Sequence, residues 1–283
     1  MSATTQQPST DRPNTTPPAT GTPAAKRRMP DRTTLRRLGA LSRAELTLLV
    51  RNRSALFGAL LMPLLMVGFL LTLGDTLGLG DGNLSVAAVI GTSAIGMVLL
   101  MAVYSTLIPA YVGRREERVL KRLRTGEATD AEILTGTAVP AVLLALIQCA
   151  VLIGVGSAHP SLSAPVRPDL LVVGVVLGML MMVLMAIVTS AFTRTVESAQ
   201  ITALPLFLIA MMTSGMITQL DTLPDAMADI FRIMPFTPVM DLVRAGWLDA
   251  GGGDVTRALL LAIAWTALAG YAVRRWFRWD PRQ

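Results

Sequence analysis

Residues 113–134, GRREERVLKRLRTGEATDAEIL, separate two long apolar segments with six Arg or Lys and five Asp or Glu. An ionised side chain costs about 3 kcal/mol at the centre of a bilayer, so a run this densely charged has no place in hydrocarbon. It sits in water, and the apolar segments on either side of it reach the same membrane face. Within it, Glu117 precedes Lys121 by four residues, the favourable order for a helical ion pair, while Val119, Leu120 and Leu123 gather on a neighbouring strip. That is a short amphipathic helix, and an apolar strip inside a charge field suits a surface on which a partner docks; the alternative is a solvated loop whose positive charge only orients the chain in the membrane. Thr125 and Gly126 stop the helix. Thr129-Asp130-Ala131-Glu132 then has the form of a capping box, so a new helix is expected to begin there.

The composition agrees with a membrane setting. Of 283 residues, 52% are hydrophobic and only 16% charged, outside the range of ordinary soluble domains. The net charge of +6 gathers beside apolar spans, and no nucleic-acid motif accompanies it. Cys149, the single cysteine, lies inside an apolar run and has no second thiol in the chain to pair with.

Residues 1–31, rich in Thr, Pro, Ser and Gln, offer little to bury and are expected to form a disordered tail. The membrane domain then fills 32–283. From Thr33 to Ser54, Leu35, Leu38, Leu41, Ala44 and Leu48 recur at helical spacing with arginines on other faces, an amphipathic helix suited to the lipid interface. Roughly 20 apolar residues span the hydrocarbon core as a helix. Six segments meet that test: Ala55 to Gly74, Val86 to Ala110, Ala138 to Gly156, Leu170 to Phe192, Ile201 to Leu220 and Ala258 to Val273. Alternating them puts 21 of the 25 Lys and Arg on one side, which by the positive-inside rule is the cytoplasm and holds both termini. Trp276 and Trp279 are placed to anchor the last span at the interface. The expected fold is an all-α polytopic membrane protein in the cell membrane.

Between the last two spans, Leu223-Pro224 and Pro235-Phe236-Thr237-Pro238 predict two short helices that dip into the outer leaflet, the second capped by Thr237 with Pro238 in its first turn. Asp221, Asp225 and Asp229 recur every fourth residue, the pattern of a solvated acidic face or, alternatively, a cation site of a membrane-embedded lipid or prenyl enzyme.

No G-x-x-x-x-G-K-[ST] occurs, and His159 has no Cys or Glu at metal-ligand spacing. No metal, cofactor or catalytic set is expected in this chain. None of the six spans carries Asp, Glu, Lys, Arg or His in its interior, which argues against the ion-coupled secondary transporter that is the other alternative. Uncharged polar groups do occur there. Thr106, Gln148, Ser190, Thr213 and Ser214, with the flexible Met216, are candidates to line a substrate path as well as to bond helix to helix. Gly174 and Gly178 form a GxxxG pair that predicts a close helix approach.

The ordered set of amphipathic N-terminal helix, six spans, RREERVLKRLRTG after the second span, and the external LP and MPFTP elements followed by Asp241 and Arg244 resembles the membrane subunits of type-2 ATP-binding-cassette exporters. The arginine-rich drug-export branch of actinobacteria looks most similar. The resemblance covers about Thr33 to Trp279. It implies a coupling helix that rests on a separate nucleotide-binding subunit through Glu116, Glu117, Arg118, Leu120, Lys121 and Leu123, with ATP and Mg held by that partner. It also implies a second permease chain, identical or related, an external gate at Leu223, Pro224, Pro235, Asp241 and Arg244, and export of an amphipathic drug, antibiotic, lipid or glycan.

Overall fold

The computed structural model describes residues 86–116, 130–158, 164–217, 220, 223–248 and 254–276, with five single positions between 47 and 72. The tail at 1–31 lies outside the described residues, as do His159, Asp221 and Trp279. Apart from those single positions, so do the amphipathic helix at 33–54 and the first span. Glu117, Arg118, Leu120, Lys121, Leu123 and Thr129 fall outside as well.

Every element among the described residues is helical. They are α1 (Val86–Val98), a π-helical segment (Leu99–Ser105), α2 (Thr106–Glu116), α3 (Asp130–Ala158), α4 (Pro168–Phe192), α5 (Val196–Thr213), α6 (Asp225–Ile233), α7 (Thr237–Leu248) and α8 (Val255–Trp276). The first three run on as one rod, and with it α3, α4, α5 and α8 are long and apolar enough to cross a membrane, five in all among the described residues.

Their limits show what local chemistry decides. The helix through α1 and α2 continues past the expected end at Ala110 to Glu116, because Arg114 and Arg115 near a helix C-terminus complement its dipole. Helix α3 begins at Asp130, where the Thr129 capping pattern places it. The fifth span is displaced from its expected range of Ile201 to Leu220. The Thr195 hydroxyl accepts the Ser198 N–H while the Ser198 hydroxyl accepts the Thr195 N–H, a reciprocal cap that opens α5 at Val196. At the other end the chain turns at Gly215, whose φ of 72° is a conformation that glycine adopts without a Cβ penalty.

The rod from α1 to α2 has a regular burial pattern. Ser93, Met97, Met101, Ser105, Pro109 and Gly113 are each only half-buried or exposed, and the pairs between them, such as Leu99 with Leu100 and Tyr111 with Val112, are buried. A strict four-residue period drifts about 40° per repeat on an α-helix of 3.6 residues per turn. The wider i→i+5 turns of the π segment take back part of that drift. Pro109 lies four residues beyond Ser105, so it offers no N–H to that carbonyl and favours the irregular ladder just before it.

Helix α4 is the hub. It packs against α7, α8, the π segment, α2 and, more lightly, α5. Two short helices lie between the fifth and last spans as expected, but they differ in kind. Helix α6 exposes most of its residues, while α7 buries nine of twelve among α4, α8 and α1. The approach of α7 to α4 depends on missing side chains. A Cβ on Gly178 would lie 2.7 Å from Val239 Cγ1 and Leu99 Cδ1, one on Gly174 3.1 Å from Leu242 and Val243, and one on Gly246 2.4 Å from the Leu171 backbone N. The GxxxG pair therefore serves packing within one chain.

Because the atom facing Gly246 is backbone, Gly246→Ala is expected to exceed the ~1–3 kcal/mol of ordinary overpacking and to abolish a cooperative melt of the detergent-purified protein. Gly270 in α8 has open space around it. Gly270→Ala should raise the melting midpoint slightly, by up to ~1 kcal/mol, since alanine is the better helix former.

Candidate functional site

Two polar knots hold the two ends of α5. At the end shared by α6 and α7, three donors converge on the carbonyls of the turn that follows α5. Thr237 Oγ1 donates to Thr213 O at 3.1 Å, Ser93 Oγ to Met216 O at 3.3 Å, and Arg244 Nη2 to Ser214 O. Arg244 Nη1 also pairs with Asp241 Oδ1 at 2.8 Å, both side chains less than a third exposed. Gly215 makes room for that guanidinium, since a Cβ there would stand 2.7 Å from Arg244 Nη2. Ser214 Oγ is enclosed and has no hydrogen-bond partner among the described residues.

The structure thus gathers three lining candidates, Thr213, Ser214 and Met216, in one turn, and brings the gate candidate Arg244, with Asp241 paired to it, against the Ser214 carbonyl of that turn. Thr237, expected to cap its own helix, is instead its first residue, with Phe236 O accepting the Met240 N–H at 3.2 Å, and its hydroxyl supplies a donor to Thr213 O, one of the last carbonyls of α5. Leu223 and Pro224 stand apart at the start of α6, Leu223 N–H donating to Leu220 O at 3.1 Å. Pro235 and Phe236 face Met182, Met185, Leu206, Ile209, Ala210 and Thr213 around a small apolar crevice. Met182 is near the middle of α4, and Trp265 Nε1, near the middle of α8, donates to Ile233 O at 2.8 Å. The bend between α6 and α7 therefore sits halfway along two membrane-length helices, and the end of α7 returns to the start of α4, where Arg167 N–H donates to Gly246 O at 2.9 Å.

At the opposite end, Arg115 donates to the carbonyls of Ser190, at 3.0 Å, and Thr193, while Glu116 Oε1 accepts the Val196 N–H at 3.1 Å. Ser190, a lining candidate, is buried beneath this knot, and its own hydroxyl donates to Ile187 O. Glu116 is the only docking candidate among the described residues. Sequence reasoning missed Arg115, since its targets are backbone groups more than 70 positions away and leave no mark in residue spacing.

The remaining candidates lie between the knots. Gln148 is buried on α3, and Thr106 is exposed where the π segment meets α2, its hydroxyl donating to Met101 O at 2.9 Å. Midway along the rod, the Tyr104 hydroxyl lies 3.1 Å from Thr189 Oγ1 and donates to Ala203 O at 3.4 Å. The acidic residues on α6 face outward. Asp225 is exposed and Asp229 meets Arg232 at 3.5 Å, and no group of three or more metal-ligating side chains forms among the described residues.

Compared with known families, residues 36–248 match the profile of the ABC-2 type transporter. The match takes in four of the five membrane-length helices and both short ones. No curated protein matches the chain.

Hydrogen bonds to a charged group contribute about 1.5–3 kcal/mol, so Arg244→Met, which takes the charged donor from the Ser214 carbonyl, should destabilise the purified protein by about 2–3 kcal/mol. Arg167→Met, at the exposed pair with Asp169, should cost less than about 1 kcal/mol. Thermal midpoints of the two variants in one detergent check the contrast.

Proposed function

The chain belongs to the ABC-2 type transporter family, and from that premise we propose that it is the permease subunit of an exporter whose energy comes from a separate ATPase docked on residues 117–129. The family match across 36–248 carries this reading, because it spans the charged stretch together with the helices on both sides of it. Membership makes the chain a multi-pass membrane transport protein with an ATP-binding partner subunit.

The end of the bundle holding Glu116, Asp130 and Thr193–Thr195 faces the cytoplasm, with both chain termini, in the cell membrane. Glu117, Arg118, Leu120, Lys121 and Leu123 meet the ATPase, which holds ATP and Mg. A second permease, identical or related, completes the pathway. Its lining includes the half-buried stripe Ser93, Met97, Met101, Ser105 and Thr106, whose mixture of hydroxyls and flexible thioethers suits an amphipathic drug, antibiotic, lipid or glycan. Helices α6 and α7 form a re-entrant external gate, with Asp241 and Arg244 closing on the turn at 213–216. ATP-driven closure of the ATPase pair shifts the permeases between two arrangements, which requires the ATPase to bind those arrangements with different affinity.

Glu117→Arg combined with Leu123→Asp is expected to reduce ATPase co-purification at least tenfold while leaving membrane insertion and the melting midpoint unchanged. Wild-type recovery of the ATPase with that double variant overturns the docking assignment.

A further inference from the structure

We infer that Arg115 and Glu116 form a coupling clamp that makes the end of α2 and the α4–α5 turn move as one body. The last four carbonyls of a helix and the first four N–H groups of the next have no partners inside their own helices. Arg115 meets the first need, its guanidinium bridging the Ser190 and Thr193 carbonyls at the end of α4. Glu116 meets the second, its carboxylate accepting from Val196, the first residue of α5. Each charge also stands at the dipole end of opposite sign, cation at a C-terminus and anion at an N-terminus.

The turn they hold is bonded throughout. Thr193 N–H donates to Ser190 O and its hydroxyl to Thr189 O, while Thr195 and Ser198 cap each other. A Cβ on Gly113 would lie 3.5 Å from Val196 Cγ2, so the two elements approach to within the space of one side-chain carbon just beside the charges. About 16 Å along the rod at 1.5 Å per residue, Tyr104 ties the same three helices again through Thr189 and Ala203. The ties leave the rod eleven residues apart and land at Thr189 and at Ser190 and Thr193 on α4, and at Ala203 and Val196 on α5, so tilting the rod against either helix breaks one of them. A push entering the chain after Glu116 therefore reaches both the rod and the α4–α5 turn, instead of being lost in bending at residue 116. Arg115 and Glu116 are positioning residues that transmit force, and Glu116 does so in addition to any contact with the ATPase.

This rests on the reading that an ATPase docks on residues 117–129, and the test separates the two. The complex is purified with Ile217→Cys in a Cys149→Ser background, Ile217 being exposed just past the end of α5 remote from the clamp. The rate of its modification by a membrane-impermeant maleimide is compared with and without ATP and vanadate. Arg115→Ala is expected to keep the ATPase bound and hydrolysing at no less than half the wild-type rate, while in Arg115→Ala and Glu116→Ala alike the ATP-dependent change in labelling falls at least fivefold. Glu116→Gln, whose amide oxygen still accepts from Val196, should restore it. An ATP-dependent change of wild-type size in both alanine variants, or no restoration by Glu116→Gln, overturns the clamp. A second arm links Gly113→Cys to Val196→Cys in place of the maleimide site. Oxidised complex that keeps wild-type ATP hydrolysis supports motion as one body, and hydrolysis lost on oxidation and regained on reduction overturns it. If the wild-type chain retains no ATPase at all, the docking reading fails and takes the clamp with it.

Discussion

The close approach of α7 to α4 is the contact on which the architecture rests. A short helix that buries nine of its twelve residues among membrane-length helices has few polar side chains with which to hold itself in place. It is held by proximity, and proximity is set by Gly174, Gly178 and Gly246, where a methyl group would meet neighbouring atoms at 3.1 Å or less. Between apolar helices in lipid, close van der Waals packing takes over much of the role that the hydrophobic effect has in water. Once α7 is seated, Thr237 and Arg244 are carried to the carbonyls that end α5, and the Gly215 turn can close. The polar knot is thus a consequence of the glycine contact.

The parts of this fold that are written in single residues or in simple periods were legible in the sequence. The second, third, fourth and last spans lie where runs of apolar residues put them, because spanning length is a direct count against hydrocarbon thickness. The start of α3 follows from a four-residue capping pattern, and the two short helices from their prolines. The fifth span was misplaced because apolar residues continue past Gly215 to Leu220, so hydropathy alone draws the segment too late. Thr195-Val196-Glu197-Ser198 uses serine where the usual box has Glu or Gln, a weaker signal that hydropathy outweighed. The first span and the docking helix are absent from the described residues, so only Glu116 of that set has a place in the structure.

The site was legible as a list of residue types and illegible as a constellation. Asp241 and Arg244, three apart on one helix, pair as their spacing suggests. Their meeting with Ser214 depends on the α5 turn and on the seat of α7, which are products of tertiary packing. Thr237 shows the same limit in sharper form. Its position before Pro238 satisfies the rule for a helix cap, yet α7 already includes Thr237, with Phe236 O accepting the Met240 N–H, and the threonine hydroxyl donates to a carbonyl 24 residues earlier.

The rod from Val86 to Glu116 joins these arguments. Its burial repeats every four residues from Ser93 to Gly113, a pattern that a uniform α-helix would wind around itself by about 200° over that length. Had the helix been regular, residues that pack on α4 at one end would face away from it at the other. The π segment restores the register in the middle of the span, and that is where Tyr104 points to Thr189 and Ala203. The same correction keeps Arg115 on the side of the α4 terminus eleven residues later. It also leaves a less buried stripe, from Met97 to Pro109, along the middle of the span. A single irregular turn thus serves two ends at once: it aligns the buried face that ties three helices together, and it aligns the less buried face that a substrate or a second chain would meet.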